Sequence, residues 1–512
     1  LYSSAASDVY KRQKQHNLNV SAGWEAASGT TESTNAHYRG FPSGEFHSLN
    51  YAAEVYKKPT RTENTTRRVS VLASANYTWN DIYLVDASVR FDGSSEFGAN
   101  QKWAPFFSGG LGVNIHNYDF FKSNGYINKL KLRASYGRTG KVNFPAYAAT
   151  TMYETLFDEW YITGYGAVLK ALGNKDLTWE KTDKLSVGIE TKTFHDRLTV
   201  DFEYYYNKTI DLVNDVTLSQ TSGFSTYKDN MGQVANKGVE LKLRADIYRD
   251  RNWNVALWGN MAHNKNEILK ISDSQKAYNE RVAAYYKNEA LYQETLGLSH
   301  GAEYSVPLPQ YEEGASLTSI WAVRSLGIDP TTGKEIFLNR DGSIADKWNA
   351  AQEVVVGNTE PKCSGAFGLN LSYKNWTLFA SFLYEWGGQE YNQTLVNNVE
   401  NADLVNKNVD LRVLTDRWKK PGDIAQFKDI KDRGMTTLPT SRFVQDKALV
   451  RLNSLNVSYD FNRDWIKKHL RMNLLRLEAS TSDLINWSSI KQERGLSYPR
   501  SWKVEFSLKA QF

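Results

Sequence analysis

The chain has 512 residues, of which 41% are hydrophobic and 13% aromatic, with a formal net charge of +5 and one cysteine, Cys363. The cysteine count excludes an intramolecular disulfide framework and a Cys-rich metal site, and the charge excess is that of a solvated surface, so no nucleic-acid partner is expected. No stretch approaches the roughly 20 apolar residues of a transmembrane helix, and mean hydropathy is −0.55; a β-barrel escapes that requirement because only every second residue meets lipid.

In chain order, Leu1–Gln13 (LYSSAASDVYKRQ) comes first. It shows neither alternation nor the basic-then-apolar pattern of a signal peptide. Its half Asp8–Gln13 reads as a translated sequencing-adaptor end, so residues 1–13 are expected to be a non-native leader, and the native sequence to begin near Lys14 after an upstream truncation.

Strands then come in pairs joined by short breaks. Val69–Thr78 is followed by Tyr83–Phe91, Lys184–Thr193 by Leu198–Tyr206, and Val239–Tyr248 by Trp253–Met261. The tightest pair is Gly368–Tyr373 with Trp376–Tyr384, where Lys374-Asn375 makes a two-residue turn. Long polar stretches separate the pairs: Ser28–Thr65, Lys141–Thr178, Asn264–Gly314 and Gly387–Gln445. Short turns at one end and long loops at the other are the asymmetry of an outer-membrane barrel, and the count gives about fourteen strands.

The strand phases are two-faced. Tyr83, Val85, Ala87, Val89 and Phe91 oppose Leu84, Asp86, Ser88 and Arg90. Leu130, Leu132, Ala134 and Tyr136 oppose Lys129, Lys131, Arg133 and Ser135, and Leu198, Val200, Phe202, Tyr204 and Tyr206 oppose Thr199, Asp201, Glu203 and Tyr205. A dry sandwich interior would charge several kcal/mol for each unpaired ion; a wet lumen removes that cost. The chain closes on Ser501–Phe512, with Val504, Phe506, Leu508, Ala510 and the terminal Phe512 on one parity. Phe512 is read as the signal presented to the barrel-assembly machinery. The expected fold is therefore all-β: an incomplete transmembrane antiparallel barrel with unpaired edges.

Several ordered segments carry a family resemblance: Arg90–Ser95 (RFDGSS), Leu130–Gly140 (LKLRASYGRTG), Leu177–Thr182 (LTWEKT), Asn230–Leu241 (NMGQVANKGVEL), Gly327–Pro330, Arg417–Asp423 (RWKKPGD), Phe443–Tyr459 and Tyr498–Arg500. Together they resemble the late barrel of SusC/RagA-like TonB-dependent transporters. The resemblance implies a barrel of about 22 strands around a plug, with the plug and the early strands preceding residues 14–512. It also implies a Bacteroidota-type outer membrane, a SusD-like surface lipoprotein as lid, TonB acting through the absent N-terminal region, and uptake of an oligosaccharide or peptide. A siderophore or other TonB-dependent receptor, and a passive porin, are the alternatives.

No catalytic constellation stands out: there is no His-x-x-x-His pair, no Gly-x-Ser-x-Gly elbow and no phosphate-binding glycine loop, so an enzyme, a cofactor and a metal are not expected. Asp201 and Glu203 share one side of a strand, as a carboxylate dyad would, but lumenal solvation explains them. Asp329–Gly333 lacks the downstream acid of a calcium loop and reads as a turn. The substrate- or partner-binding candidates are aromatic residues in or beside the long loops: Trp160, Tyr161, Tyr165, Tyr285, Tyr286, Tyr304, Tyr311 and Trp321. Exposed rings stack on sugar faces or grip peptides, and the alternative for each is loop packing or an upper aromatic girdle.

Overall fold

Side chains that alternate between apolar and polar give each strand one dry and one wet face, and a computed structural model arranges them accordingly. The structure describes residues 2–12, 15–42, 48–122, 126–144, 146–162, 164–217, 226–230, 232–271, 273, 275–277, 279–280, 311–349, 352–406, 409–434, 437–461, 463–491 and 503–511.

The main sheet has sixteen strands whose spatial order follows the chain. It runs through Tyr2–Arg12, His16–Arg39, Glu54–Trp79, Tyr83–Ser94, Trp103–Asn114, Ile127–Lys141, Glu180–Thr193 and Leu198–Ile210. It continues through Gln233–Arg249, Trp253–Lys270, Cys363–Tyr373, Trp376–Tyr391, Val444–Asp460, Leu474–Ser482 and Lys503–Gln511, with Asn486–Ser488 added beside Val444–Asp460. Among the described residues the first and last strands are not paired with each other, and the sheet is open. Setting aside Tyr2–Arg12 and the short Asn486–Ser488, the expected fourteen wall strands are all present.

The tight turns fall where the sequence places them, with residues forced into the left-handed region. Asn80 and Asp81 have φ of 53° and 57°, Phe194, His195 and Asp196 have φ of 55°, 60° and 64°, and Lys374 has φ of 50°. Asn and Asp tolerate this region best, which suits them to such turns.

Two expectations need correction. Leu1–Gln13 shows no strand pattern, yet Tyr2–Arg12 pairs antiparallel with Asn17–Ala27. Backbone pairing needs no side-chain alternation when an extended neighbour offers a row of donors and acceptors. The polar stretch Ser28–Thr65 is not all loop either: His16–Arg39 and Glu54–Trp79 stay paired from Ser28↔Arg67 up to Arg39↔Glu54. Polar cross-strand pairs hold this ribbon, with Thr30 Oγ1 3.1 Å from Thr65 Oγ1 and Arg61 2.8 Å from Glu32.

The chain divides into two compact units. One comprises Leu1–Leu111, Ser135–Lys184 and Thr209–Gly232, and its core holds Phe97, Ala104, Phe106, Phe144, Ala149, Leu177 and Trp179. Trp179 stacks on Phe97 at 4.3 Å and meets Phe106 edge-on at 5.3 Å. Within it the stretch Lys141–Thr178 carries a hairpin, Met152–Tyr161 with Gly164–Ala171. The other unit comprises Gly112–Ala134, Leu185–Lys208 and Gln233–Phe512. Its second core, around Val399, Val413, Phe427 and Phe443, is built by the stretch Gly387–Gln445, and a separate four-stranded sheet spans Ser319–Ile328, Glu335–Leu338, Ile344–Ala345 and Glu353–Asn358.

Candidate functional site

One face of the sheet is apolar and open. In the first unit Trp24 lies opposite Val71 and Val71 opposite Phe91, with Leu18, Val20, Val69 and Val89 on the same parity of their strands, and all are exposed. In the second unit Leu132, Leu185, Val187, Ile189, Phe202, Leu243, Leu257 and Phe367 are exposed likewise. Within each unit, so many exposed apolar side chains on one face are more than a water-facing monomer leaves uncovered.

Aromatic rings edge this face at the short-turn end. Trp79 stacks on Tyr83 at 5.3 Å, Trp253 lies 4.2 Å from Tyr373, and Trp376 lies 4.8 Å from Tyr459. On one strand Trp376 and Trp386 are both half-exposed on this face. The interval between them is about 33 Å along the strand and about 25 Å along the membrane normal at a ~40° tilt, which matches the apolar band of an outer-membrane barrel.

The opposite face is a ladder of ion pairs. Arg133 Nη2 donates to Glu203 at 2.6 Å and to Asp201 at 3.0 Å. It does so by crossing the strand between them at Gly188, where a Cβ would lie 2.7 Å from Arg133 Nε. Lys129 pairs with Glu190 at 2.6 Å, Lys447 with Glu385 at 2.9 Å, and Arg476 with Asp460 at 2.5 Å. In the first unit Arg90 reaches Asp92 at 2.5 Å and Ser70 at 3.0 Å. The Asp201–Glu203 pair is therefore a counter-charge for Arg133, with no dyad chemistry required of it.

Beyond the strands, the stretch Gly387–Gln445 forms a platform locked by Arg442. Its guanidinium donates to Glu400 at 2.6 Å and to Glu335 at 3.0 Å, with all three side chains buried. Burial pulls the Arg442 pKa down, but hydrogen bonds to Glu400 and Glu335 outweigh it and hold the group above its ordinary value. Arg417 adds hydrogen bonds to the carbonyls of Lys428 (2.9 Å) and Glu400 (2.8 Å). The clamp ties residues far apart in sequence, and no local spacing announces it. Beside the platform, a polar cleft of about 560 Å³ is lined by His263, Asn264, Lys265, Glu360, Lys362 and Lys447, among others.

A family model described as "TonB dependent receptor-like, beta-barrel" matches residues 2–474. The chain belongs to the TonB-dependent receptor-like β-barrel family. It is 28% identical over 485 residues to TonB-dependent receptor P3 of Formosa agariphila, covering 92% of this chain and 46% of that protein. It is 29% identical over 255 residues to TonB-dependent receptor SusC of Bacteroides thetaiotaomicron, covering 47% of this chain and 25% of that protein. The fold matches the RagAB peptide importer in its "open-open" state with a TM-score of 0.80 at 22% identity, over 100% of this chain and 54% of that one. This TonB-dependent receptor barrel thus spans about half the length of its first curated relatives.

The aromatic candidates that the structure describes are divided between the two units of this barrel. Trp160 and Tyr161 sit at the tip of the Met152–Ala171 hairpin, with Trp160 opposite Tyr165, which is 60% exposed. Trp321 is half-buried opposite Val355 in the four-stranded sheet, and Tyr311 accepts a hydrogen bond from Asn279 at its carbonyl, 3.0 Å away. Tyr285, Tyr286, Tyr304 and Phe512 lie outside the described residues. Among the described residues no cluster of His, Cys, Asp or Glu is arranged to hold a metal ion.

Proposed function

We propose that this chain is the C-terminal barrel wall of an outer-membrane, TonB-dependent importer of SusC type. It takes up oligosaccharides or peptides with a SusD-like lipoprotein as its extracellular lid, and TonB acts through a region preceding residues 14–512. The observation that carries this reading is the two-faced sheet, with an exposed apolar band about 25 Å tall behind a face of ion-paired Arg, Lys, Asp and Glu. A lipid-facing wall around a wet lumen requires that combination. The SusC relative supports an importer of SusC type, and RagAB, which shares the fold, is a peptide transporter. The loop aromatics are the proposed capture surface: the exposed Tyr165 above all, together with Trp160, Tyr161, Tyr285, Tyr286, Tyr304, Tyr311 and Trp321.

The test is deletion of the gene, followed by growth on single oligosaccharides or peptides and by affinity purification of the tagged protein from outer membranes. Loss of growth on one such nutrient, with a surface lipoprotein co-purifying, is the expected result. Growth loss only under iron limitation would instead indicate a chelate receptor.

A further inference from the structure

On the strand Trp253–Lys270 the apolar parity ends abruptly. Leu257 and Met261 are followed on the same face by His263 and Lys265, both exposed. On the neighbouring strand Val239 gives way to Lys237, and the register sets Lys237 directly opposite Lys265. Like charges facing each other across a ladder repel. Glu267 answers them only in part, at 3.3 Å from Lys265 and 4.0 Å from Lys237. A third ammonium, the exposed Lys362, has no carboxylate partner among the described residues. Two contacts hold it in the cleft that Lys265 also lines. Its carbonyl lies 2.7 Å from His263 Nδ1, and its stem packs where Gly387, at φ +79°, leaves no room for a Cβ (2.8 Å). His263, Lys265 and Lys362 all line the polar cleft of about 560 Å³.

Height along the wall decides what this cluster meets. From the aromatic edge at Trp253, Lys265 is about 40 Å along the strand and about 30 Å along the membrane normal at a ~40° tilt. The apolar band is about 25 Å tall, so the Lys237 and Lys265 ammonium groups stand just beyond the hydrocarbon, at headgroup depth and on the lipid side. Basic residues at that depth attract anionic headgroups, each contributing about 1 kcal/mol near a charged surface.

We propose that Lys237, Lys265 and Lys362, with His263, form a binding site for the phosphate group of an outer-leaflet lipid headgroup. The anion relieves the Lys237–Lys265 repulsion, and the lipid chains lie along Met261, Leu257 and Leu243 below. Glu267 competes with the lipid for the same ammonium groups. The proposal rests on the outer-membrane placement above.

The test uses the protein extracted from outer membranes and native mass spectrometry with added diphosphorylated lipid A, its dephosphorylated form, or inorganic phosphate as competitor. Three proteins are compared: wild type, the combined Lys237→Gln/Lys265→Gln/Lys362→Gln variant, and Glu267→Gln. Wild type should retain the phosphorylated lipid, and the triple variant should lose about a hundredfold in retention. Dephosphorylated lipid should bind wild type as weakly as the phosphorylated lipid binds the variant. Glu267→Gln should bind more tightly, which a merely structural role for these lysines does not predict. Equal retention by wild type and the triple variant, with both showing the gel mobility shift of a heat-modifiable barrel, overturns the site while leaving the membrane placement intact. Displacement by inorganic phosphate at the lipid's own concentration overturns the lipid assignment. Failure of wild type to partition into outer membranes would instead defeat the placement itself.

Discussion

Replacing Arg442 by Met should loosen the loop platform while leaving the wall intact. Arg442 bridges Glu335 and Glu400, whose side chains are 8% and 0% exposed at 3.0 and 2.6 Å from it, while Arg417 and Lys428 act on the Glu400 carboxylate only electrostatically. Removing it strands two carboxylates in a dry site, and breaking a buried pair in this way costs about 3–5 kcal/mol. The methionine recovers part of the packing over the Phe443 ring, 4.4 Å from the guanidinium in the native protein. The cost falls on the segment those carboxylates anchor, the core of Val399, Val413, Phe427 and Phe443. Local opening should therefore become easier, and amide hydrogen exchange in Asn392–Phe443 should accelerate by about 10²- to 10⁴-fold. Strands such as Leu198–Ile210 should exchange at the native rate. Unchanged exchange across the platform would refute the clamp, and equal acceleration throughout the wall would show that it is not local.

Three further outcomes follow from other residues. Burial raises the Glu353 carboxyl to about 7 against an ordinary 4.5. The folded form therefore holds a proton that the unfolded form has lost, and stability of the four-stranded sheet should fall by roughly 3 kcal/mol as pH rises from about 4.5 to 7; exchange or proteolysis of Ser319–Asn358 at the two pH limits reads this, and Glu353→Gln should flatten it. Leu257→Arg, on the apolar face, should cost about 2–4 kcal/mol in denaturant titrations of the bilayer-inserted barrel, whereas an unchanged midpoint would place that face in water. Gly188→Leu should drive a side chain into the path of Arg133 and cost about 1–3 kcal/mol, while Gly188→Ala should cost less; equal stabilities would mean that the crossing of Arg133 over this strand contributes nothing.

The wall was legible because lipid and water write a period of two into each strand. The phases of Tyr83–Phe91, Leu198–Tyr206 and Val504–Ala510 place their apolar residues on one face of the sheet, as expected. The turn at Lys374-Asn375 was legible from its length alone. Where solvent lies on both sides the code lapses: Ser28–Arg39 and Glu54–Thr65 read as loop but pair as a polar ribbon, because backbone hydrogen bonds carry no sequence signature. The Arg442 clamp was invisible for a different reason, since its carboxylates come from separate segments and only the fold brings them together. The aromatic candidates show the limit of composition as a guide. Trp160 and Tyr165 are register partners in one hairpin, whereas Trp321 lies half-buried in a separate sheet.

The central claim is that this sheet has lipid on one side and water on the other. Single spin-labelled cysteines at positions 85 to 89, in a background with Cys363→Ser, test it directly through collision with oxygen and with a water-soluble nickel chelate. Labels replacing Val85, Ala87 and Val89 should meet oxygen, and those replacing Asp86 and Ser88 the chelate, with a strict period of two. Chelate access at all five positions would contradict a membrane wall.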